Sequence, residues 1–200
     1  MSESAEILCI GTEILLGNIV NTNSQVLSRG LAELGVNVYR HTAVGDNPER
    51  LREALDEAFA RNDIVITTGG LGPTYDDLSK ETIADWFGLP LEMHEPSARA
   101  IEAYFGGMKR PMCQSNLKQA MMPRGCTVLE NRNGTAPGAI IEGKGKTAIM
   151  LPGPPRETPS GRCCPIWRSA PTMCCAPTAS TSSESARARS KASCAARCRR

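Results

Sequence analysis

The chain has 200 residues with a formal net charge of +2, a length that suits one domain or one domain with an extension. No apolar run is long enough to cross a membrane, and the acidic start Met1–Glu6 is not a secretory signal, so a cytoplasmic chain is expected. The small net charge hides two unlike parts: residues 1–157 carry 15 Lys+Arg against 20 Asp+Glu, and residues 158–200 carry 8 against 1.

Glu6–Ile10 reads as a first short apolar strand, broken by Gly11, Thr12 and Glu13. Asn21–Ser24 caps a helix that runs to about Leu34, with Val26, Leu27, Leu31 and Leu34 on one face and Gly35 closing it. Val36–Tyr39 is the second strand, followed by Thr42–Asp46. Asn47-Pro48-Glu49 opens a helix whose apolar stripe is Leu51, Ala54, Leu55, Ala58 and Phe59. Asp63–Ile66 is the third strand. It breaks into Thr67-Thr68-Gly69-Gly70-Leu71-Gly72-Pro73, which cannot continue a strand, and a helix follows over Leu78–Phe87.

Residues 95–122 read as mostly helical, interrupted at Gly106-Gly107 and Pro111. Cys126–Leu129 is a candidate strand. Ala139–Glu142 and Lys146–Leu151 form a hairpin across residues 143–145, and Pro152–Glu157 is a rigid loop. Strands alternating with helices predict an α/β fold with a mainly parallel sheet, whose ligands sit at the carboxyl ends of the strands. Those ends carry Gly11–Glu13, Gly45-Asp46, the Gly69–Asp77 turn and Pro152–Arg156.

The last 43 residues hold six of the nine cysteines and no Leu, Val, Phe or Tyr, so they cannot bury enough surface to offset the entropy of ordering them. The pairs Cys163-Cys164 and Cys174-Cys175 lack zinc-knuckle spacing, and a basic nucleic-acid arm is a competing reading. A third reading is translation in the wrong frame. Joining the last base of each codon to the first two of the next lets Glu184–Cys198 be read as Gly-Ile-Gly-Glu-Ser-Glu-Val-Glu-Gly-Ile-Leu-Arg-Gly-Lys-Met, an ordinary amphipathic segment. Residues 1–157 are therefore expected to form the domain, incomplete at its C-terminal end, and 158–200 a disordered, frameshift-derived tail.

Among the loops, Thr67–Asp77 has the clearest chemistry. Its glycines let backbone N–H groups face a phosphate without Cβ interference, although it is neither a P-loop nor G-x-G-x-x-G. Asp46 and Asp77 suit a hard divalent cation of the Mg, Mn or Co type, with phosphate oxygens completing its shell. The competing reading makes Asp46 a cap of the helix at Pro48, and Asp76 or Asp77 a cap of the helix at Leu78. Gly11, Thr12 and Glu13 offer a hydroxyl and a carboxylate; Asn21 and Asn23 offer amides; Arg156 offers a guanidinium beside prolines. Asn133–Gly138 is either a hairpin loop or a ligand loop. His41 and His94 show no ligand spacing, and Cys9 is expected in the core.

These motifs resemble the N-terminal, molybdopterin-binding-like (MoaB/Mog) domain of the competence/damage-inducible CinA family. The matching stretches are Gly-Thr-Glu-Ile-Leu-Leu-Gly at 11–17, Asn-Thr-Asn-Ser at 21–24, Val-Gly-Asp-Asn at 44–47, Thr-Thr-Gly-Gly-Leu-Gly-Pro-Thr-Tyr-Asp-Asp at 67–77, Asn-Arg-Asn-Gly-Thr-Ala-Pro-Gly at 131–138 and Leu-Pro-Gly-Pro-Pro-Arg-Glu at 151–157. The resemblance implies a three-layer α/β/α domain. It also implies metal-dependent hydrolysis of a nucleoside diphosphate linkage such as the pyrophosphate of ADP-ribose. Alternatives are non-catalytic binding of molybdopterin or a nucleotide, and an inactive truncated product. It places Asp46 and Asp77 as catalytic and metal-holding carboxylates. Ligand-binding positions are Gly11, Thr12, Glu13, Thr68, Gly69, Gly70, Gly72, Asp76, Pro152, Gly153 and Arg156. The partner is a small nucleotide or pterin, not nucleic acid, and the intact family member is expected to be a homo-oligomer. The deamidase domain that many family members add is not expected in these residues.

Overall fold

A computed structural model describes residues 4–108 and 111–157. Among these the central sheet has six strands: β1 (Ser4–Ile10), β2 (Asn37–Val44), β3 (Ile64–Thr68), β6 (Thr127–Leu129), β7 (Gly138–Gly143) and β8 (Lys146–Leu151), ordered β2-β1-β3-β8-β7-β6. β4 (Leu91–Met93) and β5 (Met121–Pro123) form a separate antiparallel pair. β2, β1, β3 and β8 are mutually parallel, and only β7 runs against its neighbours. The helices are α1 (Thr12–Leu15), α2 (Thr22–Glu33), α3 (Pro48–Arg61), α4 (Ser79–Phe87) and α5 (Glu95–Gly107), with short 3-10 turns at Gln114–Ala120 and Pro155–Glu157. The tail beyond residue 157, with its expected disorder and cysteine pairs, lies outside the described residues.

The side-chain alternation of β1 explains the layers. Ile7 and Cys9 face one side, where Leu27 and Leu31 of α2 cover them; Leu8 and Ile10 face the other, beneath Leu51, Leu55 and Phe59 of α3 and Ile83 and Phe87 of α4. Both faces are buried, so the sheet is the middle of three layers, as expected. Among the described residues the sheet buries one charged side chain: Glu6, 1% exposed, is held by Arg61 at 3.2 Å, Asn62 at 3.1 Å and Thr42 at 2.9 Å, so its carboxylate is paired rather than orphaned.

The predicted caps hold. Asn21 Oδ1 accepts from Ser24 N at 3.2 Å, and Gly35 and Gly88 adopt φ of +79° and +74° at their helix ends. Lys144 and Gly145, with φ of 54° and 70°, make the two-residue hairpin turn between β7 and β8. Two expectations needed correction. β2 extends to Val44 instead of stopping near Tyr39; it is an edge strand, and its exposed Arg40 and His41 mimic a strand end in sequence. The stretch 95–122 is less helical than expected, because Met121–Pro123 pairs with Leu91–Met93, a contact between segments about thirty residues apart. Among the described residues no helix is long and apolar enough to cross a membrane.

Candidate functional site

β1 leads to α2 on one face of the sheet, whereas β3 leads to α4 on the other. The crevice between the carboxyl ends of β1 and β3 is therefore a topological switch point, where open α/β sheets bind ligands. A cavity of about 630 Å³ lies there. Of the residues singled out in the sequence, Glu13, Asp46, Thr68, Gly69, Gly70, Gly72, Asp76, Asp77, Pro152 and Gly153 line it. Gly11, Thr12 and Arg156 do not. Gly11 N donates to Val44 O at 2.9 Å, which ties the start of the 11–17 loop to β2. The Arg156 side chain is 81% exposed, 4.0 Å from the Glu157 carboxylate, and its main-chain oxygen accepts from Asn133 Nδ2 at 2.8 Å.

The glycine turn is built by close approach. At Gly69, φ is +106° and a Cβ would sit 2.0 Å from the Ile10 carbonyl oxygen. Gly69 N donates to Leu151 O at 3.0 Å and Thr68 Oγ1 to Pro152 O at 3.0 Å, so these two groups bind the turn to β8 and its loop. Among the described residues the N–H groups of Gly70, Leu71 and Gly72 have no protein acceptor. They are the donors left for an anion.

Neither aspartate caps the helix that follows it. Asn47 Oδ1 caps α3 through Arg50 N at 2.9 Å, which relieves Asp46 of that role. Asp46 Oδ2 instead accepts from Thr12 N at 2.8 Å, and Thr12 Oγ1 accepts from Asp46 N at 3.2 Å, which joins the 11–17 loop to the end of β2. The N-cap of α4 is Leu78, without a side-chain bond. Asp77 Oδ2 accepts from Thr74 N at 3.0 Å and from Thr74 Oγ1. In both aspartates Oδ1 carries none of these bonds and remains for a ligand.

Wall residues given no individual role from the sequence include Thr74, Thr135 and Glu157, which lie in loops the sequence did mark, and Gln119, which does not. Thr135 and Glu157 arrive together. Asn131 Nδ2 donates to Glu157 Oε2 at 2.8 Å, and a Cβ on Gly134 would meet that carboxylate at 2.2 Å. The stretch 131–138 is thus both the β6–β7 connection and part of the cavity wall. No sequence signal marks Gln119, which lies in the 3-10 turn at 114–120. His41 bonds Ser28 at 2.8 Å and His94 bonds Ser97 at 2.7 Å, and Cys9 is fully buried, as a core residue should be.

The cavity wall carries five carboxylates, those of Glu13, Asp46, Asp76, Asp77 and Glu157, and among the described residues no Lys or Arg lines it. Two lysines stand just behind it. Lys118 Nζ donates to Asp77 O at 2.7 Å and to Thr74 O at 3.1 Å. Lys80, 4% exposed, donates to Gln119 O at 2.9 Å and Lys118 O at 3.1 Å. Burial lowers the Lys80 ammonium to about 8; Lys118 pushes the same way, while Glu81 and Cys126 oppose it. The folded protein then releases this proton near pH 8, while the unfolded chain keeps it to 10.5. Stability from this group is therefore lost as pH falls through 8 and fully present above 10.5. Relative to Lys80→Met, the wild type should gain on the order of 3 kcal/mol across that window. Urea midpoints of both proteins at several pH values check this, and equal pH slopes would refute it. The Cys126 thiol, pushed up by burial, works in the opposite direction in both proteins and largely cancels.

A family model described as "Probable molybdopterin binding domain" matches residues 6–161. A "CinA-like protein" of Kosmotoga olearia is 57% identical over 153 residues, 76% of this chain and 37% of that protein. The chain thus spans little more than a third of the length of the curated relatives it matches. The crystal structure of "the protein CinA with unknown function" from Thermoplasma acidophilum is similar at a TM-score of 0.72 and 35% identity, covering 78% of this chain and 92% of that one. The molybdopterin biosynthesis enzyme MoaB from Thermus thermophilus is similar at a TM-score of 0.52 and 16% identity, over 79% of this chain and 85% of that one, a likeness of fold alone.

Proposed function

Because the chain belongs to the molybdopterin-binding-like domain family in its CinA form, we propose that its cavity binds a phosphate-bearing small molecule with a divalent cation and hydrolyses a nucleoside diphosphate linkage such as that of ADP-ribose. The observation that carries this reading is the pairing of free turn amides with a wall of five carboxylates and, among the described residues, no basic side chain. Such a wall repels a bare phosphate at neutral pH, so a cation must accompany it. The donor set fits one. No cluster of three or more His, Cys, Asp or Glu able to hold a metal is present among the described residues. A hard cation of the Mg, Mn or Co type needs only one or two carboxylates, with phosphate oxygens and water filling its shell.

Asp46 and Asp77 would hold that cation through Oδ1, since Oδ2 of Asp46 is fixed by Thr12 N of the 11–17 loop and Oδ2 of Asp77 by Thr74 N of its own turn. When bound, the cation neutralises phosphate charge and polarises the phosphoryl oxygens. The chain's own residues do the rest. Gly70, Leu71 and Gly72 present N–H groups to the phosphate, which pre-organises donors for the charge that develops there. Glu13, Asp76 and Glu157 are the further carboxylates in reach of the cavity, as acceptors for a water proton.

Incubation with ADP-ribose and magnesium or manganese should release AMP and ribose 5-phosphate, and a chelator should stop it. A second reading, pterin binding without turnover, is favoured by the description of the family model. Absence of AMP together with tight pterin binding would select that reading and reject hydrolysis.

A further inference from the structure

Two amide side chains in the cavity wall lie outside the carboxylates and turn amides described above, and both are left incomplete. Asn23 is 8% exposed and Gln119 is 3% exposed. Each lines the cavity, and each has a buried side-chain carbonyl oxygen with no hydrogen-bond partner among the described residues. Buried polar atoms are satisfied in the great majority of proteins, so an orphan beside a cavity marks where something else bonds.

The orientation of Asn23 is set by its partners. Its Nδ2 lies 2.7 Å from Gly153 O, which can only accept, and 2.7 Å from Thr68 Oγ1, whose hydroxyl proton is already given to Pro152 O. A flipped amide would place two acceptors against each other at Gly153, so Oδ1 is the unmatched atom and it requires a donor. Gln119 is placed from the other side through its backbone. Its main-chain oxygen is held by Lys80, and the preceding residue, Lys118, is anchored to Thr74 and Asp77 of the glycine turn. The 3-10 turn thus delivers one amide side chain to the wall from a segment about forty residues away from that turn.

Both unmatched atoms are acceptors in a cavity already rich in carboxylates. The ionised oxygens of a phosphate or diphosphate offer them no donor. We propose that Gln119 and Asn23 form an amide-lined subsite that accepts hydrogen bonds from the neutral, donor-bearing part of a phosphate ester, a sugar hydroxyl or a ring amino group, and that Gln119 sets which phosphate esters the cavity retains. This rests on the reading of the cavity as a cation-assisted phosphate site. The glycine turn takes the charge, and the two amides read what the phosphate is attached to.

Gln119→Leu tests it, because the bonds that place the segment run through the main chain and survive the substitution. The 200-residue protein and the variant are titrated calorimetrically, in magnesium, with inorganic pyrophosphate, AMP and ribose 5-phosphate. The expected result is about tenfold or greater weakening for AMP, ribose 5-phosphate or both, and a change of less than about twofold for pyrophosphate. Loss for AMP alone names a base amino group as the donor; loss for ribose 5-phosphate names a sugar hydroxyl. Unchanged affinity for both esters overturns the proposal, since a water would then be the partner of Gln119. Equal loss for all three probes also overturns it, provided Gln119→Met, unbranched and of the same length, behaves alike; Gln119 would then only support the turn. A wild-type protein that binds none of the probes fails at the earlier step and removes the phosphate reading as well.

Discussion

Gly69→Ala is expected to abolish cooperative folding. The new Cβ would lie 2.0 Å from the carbonyl oxygen of Ile10, at the end of a strand buried from Ala5 onward. That oxygen is main chain and cannot rotate away as a side chain would. Relief requires the ends of β1 and β3 to separate, and those strands are paired in register from Ala5↔Ile64 to Cys9↔Thr68. The φ of +106° adds the cost of a backbone conformation that side chains rarely adopt. A loss above about 4 kcal/mol is large against the stability of a domain this size. Gly106→Ala is the control: its Cβ would meet nothing within 4 Å, and a change within about 1 kcal/mol is expected. Urea unfolding followed by circular dichroism compares the two. A Gly69→Ala protein with a wild-type midpoint would show that the turn is not packed against β1 as described.

Asp77→Asn should leave the fold unchanged and remove cation-dependent chemistry. The bonds that hold Asp77 come from Thr74 N and Thr74 Oγ1 to a single oxygen, and an asparagine carbonyl accepts them equally well. The same holds for Asp46→Asn with Thr12 N. What each substitution deletes is a negative charge at the cavity. Magnesium-dependent release of AMP from ADP-ribose should fall by at least about 100-fold in each variant, with unfolding midpoints within about 0.5 kcal/mol of the wild type. Retained hydrolysis in Asp77→Asn would dismiss this carboxylate as a cation ligand. A large shift in midpoint would return it to a purely structural role.

The local parts of this architecture were legible because their causes are local. The unbroken apolar run at 7–10 marks a strand buried on both faces, Asn47-Pro48 suits a helix start, and three glycines in Gly69–Gly72 break the strand into a turn. The candidate aspartates were also legible, but their duties were not. Asp46 reads as well for a helix cap as for a ligand until the structure shows Asn47 already capping α3. The same ambiguity at Asp77 ends with Leu78 at the N-cap of α4.

The sequence by itself determined the alternation of strands and helices from β1 to α4, the β7–β8 hairpin, the glycine turn and the loops at the strand ends. Each is a matter of periodicity or backbone freedom within a few residues. Tertiary structure alone decided the rest. The pairing of β4 with β5, the arrival of Gln119 at the cavity, the commitment of Thr68 and Gly69 to β8, and the unmatched oxygen of Asn23 all depend on segments far apart in the chain. No side chain announces in sequence whether its hydrogen-bond partners will be found. That is known only when the donors and acceptors around it are in place.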